Sequence, residues 1–342
     1  MTGSLLVKVG FGAGNPGLLV LRFVTCRQPL TESDISMRRI RFISLVLSVF
    51  WVTSVSAQPA PRKVIAFAQD TLKNDFRLAQ VNEVRDAVAT HPELSFVYSD
   101  AQGQTSLLIR QIEQFIAQKV DVLVLGTNDE QAVVPVVSRA YKAGIPVIVL
   151  DRGIKGRDYS TFINSDNVQI GAMGAQFIAE QLQGKGLVLL FEGLQSADVT
   201  RLRSQGFMLV MAQHPGIKVI KRTGNFLRKD ALLEMEKLLA QGVRVDAIFA
   251  ESDSMLSGAR LALQNQKVDL RSLVTVGCDY ISEARDAIRH GTQTASVLFP
   301  LGGKMTAEVA KKLLAKTAVP RHVVIPVKLV TRDNVEQVSP IF

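Results

Sequence analysis

Two adjacent residues of opposite charge, Asp151 and Arg152, follow directly on the apolar run Val147 to Leu150. Side by side, a carboxylate offers only acceptors and a guanidinium a rigid fork of donors, a set that suits the vicinal hydroxyls of a sugar. The plainer alternative is a surface ion pair. Asp279 repeats the placement after Val274 to Gly277, and Arg201 falls on the helix expected after Leu187 to Phe191. Phe76, Phe226 and Phe299 can present apolar faces to the C–H faces of a sugar ring, although each taken singly fits a core position as well. The joint pattern carries more than any one member.

Other chemistries fit less well. Asp70, Glu251, Asp253 and Asp279 can be cast as the acid and base of a glycosidase, which needs them at a set separation. The same carboxylates serve equally as hydroxyl acceptors or helix caps, and that reading is preferred. No GxSxG nucleophile elbow is present. Cys26, Cys278, His91, His214, His290 and His322 are too scattered for a disulfide framework or a metal site. The chain reads as a binding protein, not an enzyme, with no cofactor.

The elements that must carry these residues follow from the hydropathy pattern. Short apolar runs at Val64–Ala68, Leu94–Tyr98, Val122–Leu125 and Pro146–Leu150 read as buried strands. Between them, helices are expected over Asp75–Thr90, Thr105–Gln118 and Gln131–Ala143. After the segment Arg152–Asn167 the alternation restarts. Helices are expected over Gln169–Leu182, Val199–His214, Lys229–Gln241 and Ser254–Asn265, with strands at Gly186–Phe191, Lys218–Arg222, Ala247–Ala250 and Val274–Gly277. Continuous apolar strands separated by helices mean parallel sheets covered on both faces, here as two doubly wound α/β lobes. Ligands bind such sheets outside the carboxyl ends of the strands, where Asp151, Arg152 and Asp279 all fall.

The chain has 342 residues and a formal net charge of +9. Residues 1–57 contribute Lys8, Arg22, Arg27, Arg38, Arg39 and Arg41 against Glu32 and Asp34, so the remainder holds 34 basic and 29 acidic residues, a net +5. That excess forms no dense basic run, so no nucleic-acid face is expected. Residues 37–57 read as a secretory signal peptide: the basic start Met37-Arg38-Arg39, the ten apolar-rich residues Ile43 to Val52, and small residues Val55 and Ala57 before Gln58. The apolar run is too short for the ~20 residues that span a bilayer. Met37 is therefore the expected start, with residues 1–36 untranslated or disordered. Gly12, Gly14 and Gly17 spell GxGxxG but lead into the signal sequence instead of a βαβ unit, which removes the dinucleotide reading.

Several motifs in order carry a family resemblance. DTLKNDFR (70–77), IPVIVLDRGI (145–154), NSDNVQIG (164–171), TRLRSQGF (200–207), IFAESDSMLSGARLAL (248–263) and TASVLFP (294–300) resemble the type I periplasmic sugar-binding proteins of the ribose and galactofuranose kind. The resemblance implies a two-lobed receptor joined by a three-crossover hinge, with lobe one at 62–165 plus 298–326 and lobe two at 166–297 plus 327–342. It implies a monosaccharide ligand, a periplasmic location, and an inner-membrane ABC permease or a sensor as partner, with the receptor itself a monomer. A repressor of related effector fold would need a helix-turn-helix where the signal peptide stands.

Carried over residue by residue, the family's site falls on Asp70, Asn74, Phe76 and Arg77 in the first loop and on Asp151 and Arg152 at the centre. Arg201, Phe226, Ser252 and Asp279 come from lobe two and Phe299 from the last crossover. This chain departs from the ribose pattern at Gly126, Ser252, Cys278, Phe299 and Arg77. An aromatic residue followed by Arg at 76–77 resembles the galactofuranose branch, which implies Arg77 as an additional donor fork.

The exported protein is expected to begin at Gln58. Intact-mass measurement of a periplasmic fraction gives that mass, and a mass that includes residues 1–57 would remove the signal-peptide reading.

Overall fold

The computed structural model describes residues 61–342, so every expectation placed on residues 1–57 lies outside the described residues. Twelve strands and nine α-helices alternate along the described chain. The first lobe contains β1 (Lys63–Gln69), α1 (Asp75–Ala89), β2 (Leu94–Asp100), α2 (Thr105–Ala117), β3 (Val122–Gly126), α3 (Val134–Lys142), β4 (Val147–Leu150) and β5 (Thr161–Asn164). The second contains α4 (Asn167–Gln181), β6 (Lys185–Glu192), α5 (Asp198–Met211), β7 (Gly216–Thr223), α6 (Arg228–Ala240), β8 (Ala247–Ala250), α7 (Asp253–Asn265), β9 (Val274–Asp279), α8 (Ser282–His290) and β10 (Ala295–Leu298). Then α9 (Gly303–Leu314) and β11 (His322–Val324) return to the first lobe, and β12 (Lys328–Thr331) closes the second.

The two sheets have strand orders β11-β5-β4-β3-β1-β2 and β12-β10-β9-β8-β6-β7. All pairings in the first sheet are parallel. In the second only β12, antiparallel to β10, breaks the rule. The central strands explain the unbroken apolar runs: all of Val122–Gly126, Val147–Leu150 and Ala247–Ala250 is buried because helices cover both faces. The chain crosses between lobes after β5, after β10 and after β11, giving a three-strand hinge.

The central strands and helices fall within about two residues of their sequence positions, apart from a few helix ends. Helix α3 starts at Val134 instead of Gln131, and β5 lies inside the segment read only as a spacer. With four residues and an alternating burial pattern, β5 has too little apolar continuity to announce itself. Leu298, assigned to lobe one from sequence, is the last residue of β10 and pairs with Asp279 in the second sheet.

In the second lobe, glycines let helices touch backbone to backbone. A Cβ at Gly171 of α4 would lie 1.9 Å from the Arg203 carbonyl oxygen of α5, and one at Gly206 of α5 would lie 2.0 Å from that of Val168. This reciprocal contact sets the height and roll of α5, and hence where its side chains point.

Gly206→Ala is expected to destabilise the fold by about 1–3 kcal/mol through overpacking. A urea titration should show a lower midpoint, and an unchanged midpoint would mean that the two helices part freely.

Candidate functional site

The carboxyl ends of the two sheets face each other across a small cavity lined from lobe one by Asn74, Phe76, Asp151 and Arg152 and from lobe two by Val199, Arg203, Phe226, Ser252 and Asp279. Phe299, on the second crossover, completes the lining. Asn74 caps α1, its Oδ1 accepting from the Arg77 backbone N–H at 3.2 Å, while its Nδ2 donates across the cleft to the Phe226 carbonyl at 2.7 Å. The rings of Phe76 and Phe299 stack with centroids 5.1 Å apart. Ser252 is spent on a cap: its hydroxyl accepts from the Met255 N–H of α7 at 3.2 Å.

Two residues expected at the ligand stand behind it. Helix α1 buries Arg77, Val81, Val84 and Val88, so Arg77 shares the stripe that faces the sheet instead of the cavity. Its Nη1 lies 2.8 Å from Asp151 Oδ2 and 3.1 Å from Gln80 Oε1. Arg77, expected as a donor fork at the ligand, is thus not part of the cavity lining and braces Asp151 from behind. Asp70 is buried beside it, 3.8 Å from Arg77 Nε and 3.6 Å from Arg152 Nη1. Gly126 belongs to the same layer, since a Cβ there would meet Gln69 Oε1 at 2.2 Å. The Gln69 side chain fills the space over that glycine and reaches Gln80 Oε1 at 3.3 Å.

Arg201 also lies outside the cavity lining. Its side chain is 61% exposed and only approaches Glu130, at 3.9 Å. Arg203, two residues on, is buried and lines the cavity. Two residues turn a helix by roughly 200°, so Arg201 and Arg203 point to opposite sides. The signal was available in the sequence: Val199, Arg203, Phe207 and Met211 form one buried stripe at i+4 spacing. Arg203 is held by Nε to Asn167 Oδ1 at 2.8 Å and Nη1 to the Glu251 carbonyl at 2.5 Å. Its guanidinium lies 4.7 Å from the Phe299 ring centroid, and that of Arg152 lies 5.2 Å from the Phe226 ring. Both are cation–π distances.

Three lining residues have left-handed backbone: Asp151 (φ 67°), Phe226 (φ 60°) and Asp279 (φ 104°). For residues with a Cβ this costs about 1–3 kcal/mol each and persists only where the surroundings over-determine it. At Phe226 the reason is visible, because the ring sits where a Cβ on Gly193 would be, 1.9 Å from its Cζ. The strained strand ends turn side chains into the cleft that a continuing strand would send to a sheet face.

The electrostatics follow from burial. Arg152 is pushed down to about 10, by loss of water first and by Arg77 second, with Asp70 and Asp151 opposing. Burial also lifts Asp279 well above the usual carboxylate range, countered by Arg203. Arg203 is pulled down by burial, yet Cys278, Asp279, Asp151 and Glu251 together hold it above the usual value. Several atoms at this site have no hydrogen-bond partner among the described residues, including Asp151 Oδ1, Arg152 Nε and Arg152 Nη1. The same holds for both carboxylate oxygens of Asp70 and for Arg77 Nε and Nη2, although groups so deeply buried normally have partners.

The lobes are closed on each other. Besides Asn74 to Phe226, the Gly153 N–H donates to Asp198 Oδ2 at 2.9 Å and the Ser254 hydroxyl to Asp75 Oδ2 at 3.0 Å, with Arg228 Nη2 3.2 Å from the same Asp75 oxygen. Each of these joins a residue of lobe one to a residue of lobe two.

Comparison with known proteins is consistent with this geometry. Residues 65–318 match the family model described as periplasmic binding protein domain. The chain is 30% identical over 310 residues to the ribose import binding protein RbsB of Bacillus subtilis, covering 86% of this chain and 100% of that protein. It is similar in structure to an ABC transporter solute binding protein from Bacillus halodurans with bound myo-inositol, with TM-score 0.77 and 27% identity over 81% of this chain and 97% of that one. It is also similar to the fructose binding periplasmic domain of a hybrid two component system, with TM-score 0.76 and 26% identity over 81% and 93% of the two chains. With two parallel-sheet lobes, a three-crossover hinge and a charged cleft between them, this chain belongs to the periplasmic binding protein family, as a type I sugar-binding member.

Proposed function

We propose that this protein closes on a neutral monosaccharide or related polyol in the cleft and presents it to an ABC permease in the inner membrane, with no chemistry of its own. The observation that carries this reading is the equal number of acidic and basic side chains in the lining. Asp151 with Arg152 on lobe one and Asp279 with Arg203 on lobe two are the charged side chains lining the cavity. Their formal charges balance, so the lining supplies no net counter-charge for a charged ligand. Each pair combines acceptors with donors, the requirement of adjacent hydroxyls. Phe76, Phe226 and Phe299 supply apolar surface for the C–H faces of a ring. Ribose, myo-inositol and fructose, named for the similar proteins, share this chemistry. Export of the chain to the periplasm by residues 37–57, and action as a monomer, belong to the same proposal.

A second reading keeps the receptor and changes the partner. The similarity to a fructose-binding domain of a hybrid two component system supports docking to a sensor kinase. Reconstitution with the cognate membrane components separates the two: sugar-stimulated ATP hydrolysis marks a permease, sugar-dependent phosphorylation a kinase.

A thermal-shift panel of neutral sugars and polyols, gluconate and glucosamine tests ligand class. A ligand that binds only the folded state adds about 2.7 kcal/mol at 100 times its dissociation constant. Stabilisation by at least one neutral compound is expected. A response confined to gluconate or glucosamine, or no response at all, would contradict the reading.

Arg152→Ala, Arg203→Ala and Asp279→Ala are each expected to weaken the best ligand of that panel by about 2–5 kcal/mol, the cost of truncating one partner of a desolvated charged hydrogen bond. Arg201→Ala should stay within about twofold, as rim charges contribute little. Calorimetry is the readout, because the single Trp of the chain is Trp51, in the expected signal peptide. Equal losses at 201 and 203 would argue against the helix phase that places Arg203 in the cleft.

A further inference from the structure

Asp279 reaches the cavity from an improbable piece of backbone. It and Tyr280 are consecutive non-glycine residues with positive φ, 104° and 61°. Something must hold this turn. On one side the Tyr280 N–H donates to Asp253 Oδ2 at 2.7 Å. The Ser296 hydroxyl donates to the same oxygen at 2.6 Å and accepts from the Tyr280 N–H at 3.1 Å. Gln293 Nε2 donates to the other oxygen, Oδ1, at 2.7 Å. Asp253 is 1% exposed and spends both oxygens on these three donors. It does not line the cavity. The chain makes room for it, since any Cβ on Gly277 would lie 1.8 Å from Asp253 Oδ1.

From these contacts we infer that Asp253 is a positioning residue, whose carboxylate locks the turn at 279–280 so that Asp279 faces the ligand. The division of labour among three consecutive residues supports this. Ser252 caps α7 at the cavity wall, Asp253 fixes the turn, and Ser254 binds Asp75 of the opposite lobe. Asp253 is also tied to the lobe contacts. Gln293 bonds Arg260, Arg260 lies 3.2 Å from Glu283, and Arg228 joins Glu283 at 2.5 Å to Asp75 at 3.2 Å. One polar chain therefore runs from the ligand-facing turn to the contact between lobes. The consequence for affinity rests on the polyol-binding reading; the consequence for the turn does not.

The test uses protein labelled with 15N-tyrosine, which gives four backbone amides, those of Tyr98, Tyr141, Tyr159 and Tyr280. Burial raises Asp253 to about 6, with the hydrogen bonds from Ser296, Gln293 and Tyr280 opposing. The charged and titratable groups facing Asp253 are Arg260 on its own helix and Asp279, Cys278 and Tyr280 on β9 and the turn beyond. Asp253→Asn should speed Tyr280 amide exchange by at least about tenfold, leaving the other three amides unchanged. It should also weaken the tightest binder among D-ribose, D-fructose and myo-inositol by at least about tenfold.

If Asp253→Asn does not fold, Ser296→Ala is scored for exchange and affinity in the same way. An Asp253→Asn protein with wild-type Tyr280 exchange or affinity would overturn the assignment. Failure of all three sugars to bind the wild type would count against the polyol reading, while the amide measurements still decide the role of Asp253.

Discussion

Six ionisable side chains are buried at the cleft or directly behind it: Asp70, Asp151 and Asp279, and Arg77, Arg152 and Arg203. Removing an ion from water costs several kcal/mol even after relaxation, so each must be matched by opposite charge and directed hydrogen bonds. The surrounding structure can be understood as meeting that demand. Gln80 bonds Arg77 and fastens it through its own Nε2 to the Leu301 carbonyl of the second crossover. Asn167 and the Glu251 carbonyl hold Arg203. Among the atoms these supports leave unsatisfied are Asp151 Oδ1 and Arg152 Nε, which belong to residues that line the cavity.

The same demand accounts for the local backbone. A parallel sheet buried on both faces sends strand side chains into apolar layers, as in β3 and β8, where a charged group could not stay. Placing Asp151 one step past β4 and Asp279 at the last position of β9, both in left-handed conformation, turns them out of those layers and into the cleft. Strain is thereby concentrated at the site, and rigid neighbours oppose it: Ile163 accepts from the Asp151 N–H at 2.7 Å, and Asp279 accepts from the Phe299 N–H at 3.3 Å. Closure of the lobes adds the contacts of Asn74, Gly153, Ser254 and Arg228 to the same economy of buried charge.

Much of this was legible in the sequence because apolar continuity and strand-end placement are local signals. The runs at 122–126, 147–150 and 247–250 give both the sheets and the places where a site must lie. Helix phase was the weak point. TRLRSQGF offers two arginines two residues apart, and choosing between them needs the stripe of Val199, Phe207 and Met211, which selects Arg203. Arg77 failed for the same reason, since its stripe with Val81, Val84 and Val88 places it under Asp151. Gln80 and the positioning contacts of Asp253 were invisible for a different reason: their partners are far apart in the chain, at Leu301, Tyr280, Gln293 and Ser296. No local pattern records a contact of that range.

The central claim is that the unpartnered atoms of the buried charges are completed by hydroxyls of a neutral polyol. The most direct measurement is a crystal structure of the protein with its best neutral ligand. The account predicts ligand hydroxyl oxygens within about 3.2 Å of Asp151 Oδ1 and Arg152 Nε, together with contacts to Arg203 and Asp279. A ligand seated outside the cleft, or one that leaves Asp151 and Arg152 paired only with Arg77, Asp70 and water, would contradict it.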